Sequence, residues 1–144
     1  MLIADVLRGK GHDVIKVPAT ETVAAAVRKL ADRNIGALVV EDPWMKLVGI
    51  FSERDFVSAI ADRGAAALDL PVETVMSSPI VSCRPGDRID AALATMTVGR
   101  MRHLPVIDGG DLKGIVSIGD LVKHRLDEME LEASVLLEIS RMRA

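Results

Sequence analysis

The chain is written twice. The segment VGIFSERDFV at 48–57 returns as KGIVSIGDLV at 113–122, with Gly49 and Gly114, Ser52 and Ser117, Asp55 and Asp120, and Val57 and Val122 each 65 residues apart. Upstream the offset is 66: Val23, Val27 and Leu30 answer to Ile89, Leu93 and Met96, and Leu38 and Val40 to Leu104 and Val106. The change in length falls where EDPWMK faces DGGDL, a stretch of turn residues in which insertions are tolerated. A repeat of ~60 residues buries too little surface to be comfortably stable alone. Two copies in 144 residues are therefore expected to cover each other about an approximate two-fold axis, leaving two similar clefts between them.

Each copy reads β-α-β-β-α, an α/β (α+β) pattern. Val23, Val27 and Leu30, like their counterparts, sit at spacings of four and three and form a helical stripe. Thr20 and Asp87 are the expected caps of these helices. Apolar runs at 37–40 and 104–107 precede turn residues, Asp42 and Pro43 in one copy, Asp108, Gly109 and Gly110 in the other. Strands at 47–51 and 112–116 complete two hairpins, and a second helix starts just after Ser52 and just after Ser117. The connection ALDLPVETVMSSPI holds a short helical piece at 72–76, for which 3–7 is the partner in the first copy. The resulting division is 1–66 for the first repeat, 67–126 for the second and 127–144 for a helical extension.

The segments Gly-x-x-Ser-x-x-Asp bring chemistry to this frame. A carboxylate accepts the two adjacent hydroxyls of a ribose as short, charge-assisted hydrogen bonds. Asp55 and Asp120 each lie three residues after a serine at a helix start, where N–H groups and the helix dipole favour a phosphate. The glycine near each strand's end permits close approach or an unusual dihedral. Valine- and leucine-lined strands suit adenine, which needs an apolar slot and backbone partners. Arg54, Arg100, Arg102 and His103 are cations available to a polyphosphate. Ser-x-x-Asp is equally a capping box, worth ~1 kcal/mol without any ligand. A serine can cap a helix before a ligand arrives, so the two readings are compatible.

With the duplication, these segments and Arg-His-Leu-Pro-Val at 102–106, nearly the whole chain resembles a tandem pair of cystathionine-β-synthase (CBS) repeats standing alone. That resemblance implies a CBS-domain pair with pseudo-two-fold symmetry. It implies a regulatory module that binds adenosine-containing ligands (AMP, ADP, ATP, NAD(H) or S-adenosylmethionine) in the clefts between repeats. It carries Ser52, Asp55, Ser117 and Asp120 over as ribose and phosphate residues, joined by Arg54, and Gly36, Ala37, Leu38, Arg102, His103 and Leu104 as pocket walls. In the first copy Val39 stands where the second has Pro105, so the two sites are not expected to be equal. The alternative is a ligand-free structural or protein-interaction module.

Other chemistry finds little support. The histidines His12, His103 and His124 are scattered without ligand spacing, so no metal site is expected. Cys83, the single cysteine, allows no intrachain disulfide and fits a reducing compartment. It has no His–Asp partner set for nucleophilic catalysis, and no P-loop or complete dinucleotide fingerprint occurs. No enzymatic activity and no catalytic cofactor are expected. A net charge of −3 with no Tyr, one Trp and two Phe gives neither a field nor a stacking platform for nucleic acid, nor a field for an anionic membrane. The start lacks a secretory pattern and no run approaches the ~18 apolar residues of a membrane span; a cytoplasmic location is expected.

After Asp120 one helix is expected to run to about Arg141. Val122, Leu126, Met129, Ala133 and Leu136 form one stripe, and Leu131, Val135, Ile139 and Met142 another, ~200° around the helix. A helix apolar on opposite sides needs a cover from outside its own small domain. A homodimer with this tail at or near the interface is the expectation, alongside a regulated protein that the sequence does not identify.

Overall fold

The computed structural model describes residues 1–143 and divides into two compact units. One consists of Val14–Val81; the other joins Met1–Asp13 to the chain from Ser82 onward. Repeat boundaries along the chain, at 66 and 67, are thus not where the compact units part. The reason is where the leading segments bury their apolar sides. Helix α1 (Ile3–Lys10) places Ile3, Val6 and Leu7 in the core formed by the second repeat, with Ile89, Met96, Leu104, Val116 and Leu121. The short 3₁₀ turn Val72–Thr74 places Val72 in the core of the first repeat, with Val23, Leu38, Val40 and Phe51.

In the Val14–Val81 unit, β1 (Lys16–Pro18) pairs in parallel with β2 (Ala37–Glu41), and β2 pairs antiparallel with β3 (Leu47–Ser52). Helix α2 (Val23–Arg33) buries Val23, Ala26 and Leu30 on this sheet, with Val27 partly buried beside them. Helix α3 (Glu53–Arg63) follows β3 directly. The hairpin turn is held by Asp42, whose Oδ1 accepts the N–H groups of Trp44 and Lys46 at 2.9 and 2.8 Å.

The other unit repeats the plan with α4 (Ile89–Gly99), the antiparallel pair β4 (His103–Asp108) and β5 (Asp111–Ser117), and α5 (Ile118–Met142). Its first strand shrinks to a single parallel bridge between Cys83 and Val106. Both hairpins shift register near their glycine, between Val40 and Glu41 and between Val106 and Ile107. Helices α2 and α4 end on left-handed residues, Asn34 and Arg100.

The caps differ from the expectation. Thr22, not Thr20, caps α2, its Oγ1 accepting the Ala25 N–H at 3.1 Å. The Val23 N–H, three residues after Thr20, donates instead to the Leu70 carbonyl at 2.9 Å. Helix α4 starts after Arg88 without a side-chain cap, and Asp87 instead accepts the N–H of Arg84.

The expected tail helix is present and continuous to Met142. Leu121 is its one buried residue, with His124, Arg125 and Glu128 half-buried along the same side. From Met129 to Arg143 every residue is exposed, including Leu131 at 64 % and Leu136 at 67 %. Among the described residues no helix is long and apolar enough to cross a membrane.

Candidate functional site

Each hairpin delivers a serine to a helix start. Strand β3 ends at Ser52 and β5 at Ser117, both in extended conformation, and each serine is the N-cap of the helix that follows. The boxes are near copies. The backbone N–H of Ser52 donates to Asp55 Oδ2 at 2.9 Å, and the N–H of Asp55 to Ser52 Oγ at 3.3 Å. In the second repeat the corresponding bonds, Ser117 N–H to Asp120 Oδ2 and Asp120 N–H to Ser117 Oγ, measure 2.9 and 3.1 Å. These are reciprocal capping boxes, so the local reading of Ser-x-x-Asp holds in full. They also fix both carboxylates, half-buried, at helix N-termini.

Strand register brings the other candidates alongside. Ala37 lies opposite Ser52, and His103 opposite Ser117. The carbonyl of Gly36 accepts the Glu53 N–H at 3.1 Å, and that of Arg102 accepts the Ile118 N–H at 2.8 Å. Gly36 and Ala37 thus border the first helix start, and Arg102 and His103 the second. Leu38 and Leu104 point elsewhere: alternation along a strand sends their side chains into the unit cores, so only their backbone is near. Arg54 is exposed on α3, and the Arg102 side chain is exposed as well. Arg100 is the left-handed end of α4.

Two further residues reach the carboxylates, and neither was singled out from the sequence. Ser77 Oγ donates to Asp55 Oδ1 at 2.7 Å, and Lys10 Nζ donates to Asp120 Oδ2 at 2.5 Å. Both come from the leading segments, whose preceding apolar residues pack on the strand glycines. A Cβ on Gly49 would collide with the Met76 side chain and come within 2.9 Å of the Ser77 carbonyl. A Cβ on Gly114 would come within 2.8 Å of Leu7 Cδ2. Close approach, not an unusual dihedral, is therefore what these glycines provide, since neither has a positive φ. The signal in the sequence was the apolar pattern at 3–7 and 72–76, whose following residues Lys10 and Ser77 inherit fixed positions.

Electrostatics separate the sites. Burial pushes the Asp120 carboxyl upward, but the Lys10 ammonium and the Ser117 N–H outweigh it and hold the group below the ordinary carboxylate range. Burial, reinforced by Asp87, pushes the Cys83 thiol up to about 12, which disfavours the thiolate. Among the described residues no group of three or more His, Cys, Asp or Glu side chains could hold a metal ion.

The sequence model of the CBS domain matches residues 4–62 and 72–127, once per repeat. The chain belongs to the CBS domain family. The mitochondrial CBS domain-containing protein CBSX3 of Arabidopsis thaliana is 32% identical over 146 residues, covering 92% of this chain and 71% of its own. The crystal structure of the CBS-domain containing protein ATU1752 from Agrobacterium tumefaciens superposes with a TM-score of 0.83 at 42% identity, over 86% of this chain and 92% of that one. The CBS domain protein PAE2072 from Pyrobaculum aerophilum, solved in complex with AMP, superposes with a TM-score of 0.78 at 28% identity, over 92% of this chain and 99% of that one. Two CBS repeats thus account for the chain between residues 4 and 127.

Proposed function

We propose that this CBS pair is a cytoplasmic regulatory sensor of adenine nucleotides, binding without catalysing a reaction. The observation that carries the reading is the duplicated Ser–Asp box, which presents a half-buried carboxylate at a helix start in each repeat. A carboxylate so placed accepts the two hydroxyls of a ribose, while Gly36 and Ala37, or Arg102 and His103, border it with strand backbone and side chains. The AMP complex of PAE2072, similar over almost the whole of both chains, supports AMP as the first ligand to test. Regulation follows if the nucleotide binds one arrangement of the protein more tightly than another. Calorimetric titration with AMP is expected to give saturable binding that weakens at least tenfold when Asp55→Ala and Asp120→Ala are combined. Unchanged binding in the double variant, with circular dichroism confirming a folded protein, would reject these residues as the grip.

The exposed end of α5 supports a partner for this sensor, and we assign it to a second copy of the chain. The exposed helix from Met129 to Met142 is marginal in water on its own, and Leu131, Val135, Leu136, Leu137 and Ile139 lie exposed along it. Glu130 and Glu132 begin its exposed stretch and Arg141 and Arg143 end it, with Glu138 paired to Arg141 at 3.4 Å. An antiparallel second helix would set each basic tip beside the other's acidic stretch and cover the leucines. Light scattering is expected to give twice the monomer mass, reverting to one after truncation at Glu128. A monomeric full-length chain would contradict it.

A further inference from the structure

We propose that Lys10 makes the second repeat's site selective for a phosphate-bearing nucleotide, whereas the first repeat's site, with Ser77 in the corresponding role, takes the nucleoside with little regard to phosphate. This inference rests on the nucleotide-binding reading above and assigns the two sites different ligand classes.

The boxes themselves cannot discriminate, because their bonds agree within a few tenths of an ångström. Nor can the helix ends. Of the first three N–H groups of α3, that of Glu53 donates to Gly36 and that of Asp55 to Ser52 Oγ. In α5, that of Ile118 donates to Arg102 and that of Asp120 to Ser117 Oγ. A phosphate arriving at either helix meets the same depleted set of donors, so discrimination falls to the side chains.

Those side chains differ in charge. Among the described residues, the groups shown donating to Asp55 are neutral: the Ser77 hydroxyl, the Ser52 hydroxyl and the Ser52 amide. Glu53 and Arg54, both exposed, precede Asp55 on α3 with opposite formal charges. An anion brought beside this carboxylate is repelled by it. At the second site the Lys10 ammonium sits 2.5 Å from Asp120 and neutralises it. An ammonium has three N–H donors, so one can stay on Asp120 while others turn to a phosphate.

The neighbouring residues differ as well. His12 Nδ1 lies 2.9 Å from the Lys113 carbonyl, and His124 lies one turn beyond Asp120 with its ring against Gly9. The residue one turn beyond Asp55 is Ala59, buried and apolar. Lys10 is also held in place, being the last residue of α1, which Ile3, Val6 and Leu7 anchor in the core.

The test compares adenosine with AMP by calorimetry in two backgrounds, each leaving one site intact. In Asp55→Ala protein, AMP is expected to bind about tenfold tighter than adenosine. Adding Lys10→Met should remove that preference, lowering AMP affinity about tenfold relative to adenosine, and Lys10→Arg should retain it. In Asp120→Ala protein, adenosine and AMP should bind alike, and Lys10→Met should change neither. Equal binding of the two ligands in the Asp55→Ala protein, or a preference that survives Lys10→Met, overturns the assignment while leaving nucleotide binding intact. Wild-type protein that binds neither adenosine nor AMP would remove the underlying reading as well.

Discussion

The first and second repeats set their aspartates in the same box and surround them differently. Backbone features coincide: a serine cap, a glycine under an apolar side chain, a hairpin register shift beside that glycine and a left-handed helix end. What differs is carried by side chains: Lys10 against Ser77 at the aspartates, Arg100 against Asn34 at the helix ends, and Phe51 against Val116 and Val39 against Pro105 in the buried strands. Duplication preserves what folding requires and leaves function free to diverge where a side chain only visits the site.

The comparison is sharpest in the cores. Phe51 and Val116 are both fully buried at equivalent places, opposite Leu38 and Leu104. Phe51→Ala is expected to cost about 3–5 kcal/mol and Val116→Ala about 2 kcal/mol, measured by urea denaturation. Equal costs would mean that the two cores collapse around a cavity to different extents.

The glycines come next. At Gly49 a new methyl group meets the Ser77 carbonyl, which is backbone, whereas at Gly114 it meets only the flexible tip of Leu7. Gly49→Ala should therefore cost about 1–3 kcal/mol and Gly114→Ala distinctly less in the same denaturation experiment. The reverse order would show that the leading segment of the first repeat yields more easily than its packing indicates.

The smallest effect tests the helix ends. Arg100 holds φ at 54° where Asn34 holds 52°, and a left-handed arginine is strained while asparagine tolerates that region. Arg100→Gly should stabilise the protein by up to about 1 kcal/mol, read as a raised melting temperature; a loss of stability would mean that the Arg100 side chain holds something in place.

Much of this was legible in the sequence. The hairpins, the starts of α3 and α5 and the length of α5 follow from alternation, from Ser-x-x-Asp and from an unbroken apolar period. The caps of α2 and α4 were misplaced because Thr20 and Thr22 offer the same chemistry two residues apart, and because α4 uses no side-chain cap. Lys10 and Ser77 are legible only indirectly, as the residues that follow the apolar patterns at 3–7 and 72–76. They meet their aspartates across 110 and 22 residues, and nothing in an apolar pattern states which core a leading segment will join. The family resemblance makes Leu38 and Leu104 pocket walls, whereas the face of the strand sends their side chains into the cores.

The most direct test of the nucleotide grip is an amide spectrum recorded by NMR as AMP is added. The account predicts that the largest shifts fall at 52–55 and 117–120, with Lys10 moving together with Asp120. Saturating AMP that leaves both helix starts unmoved, or that shifts only residues remote from them, would contradict it.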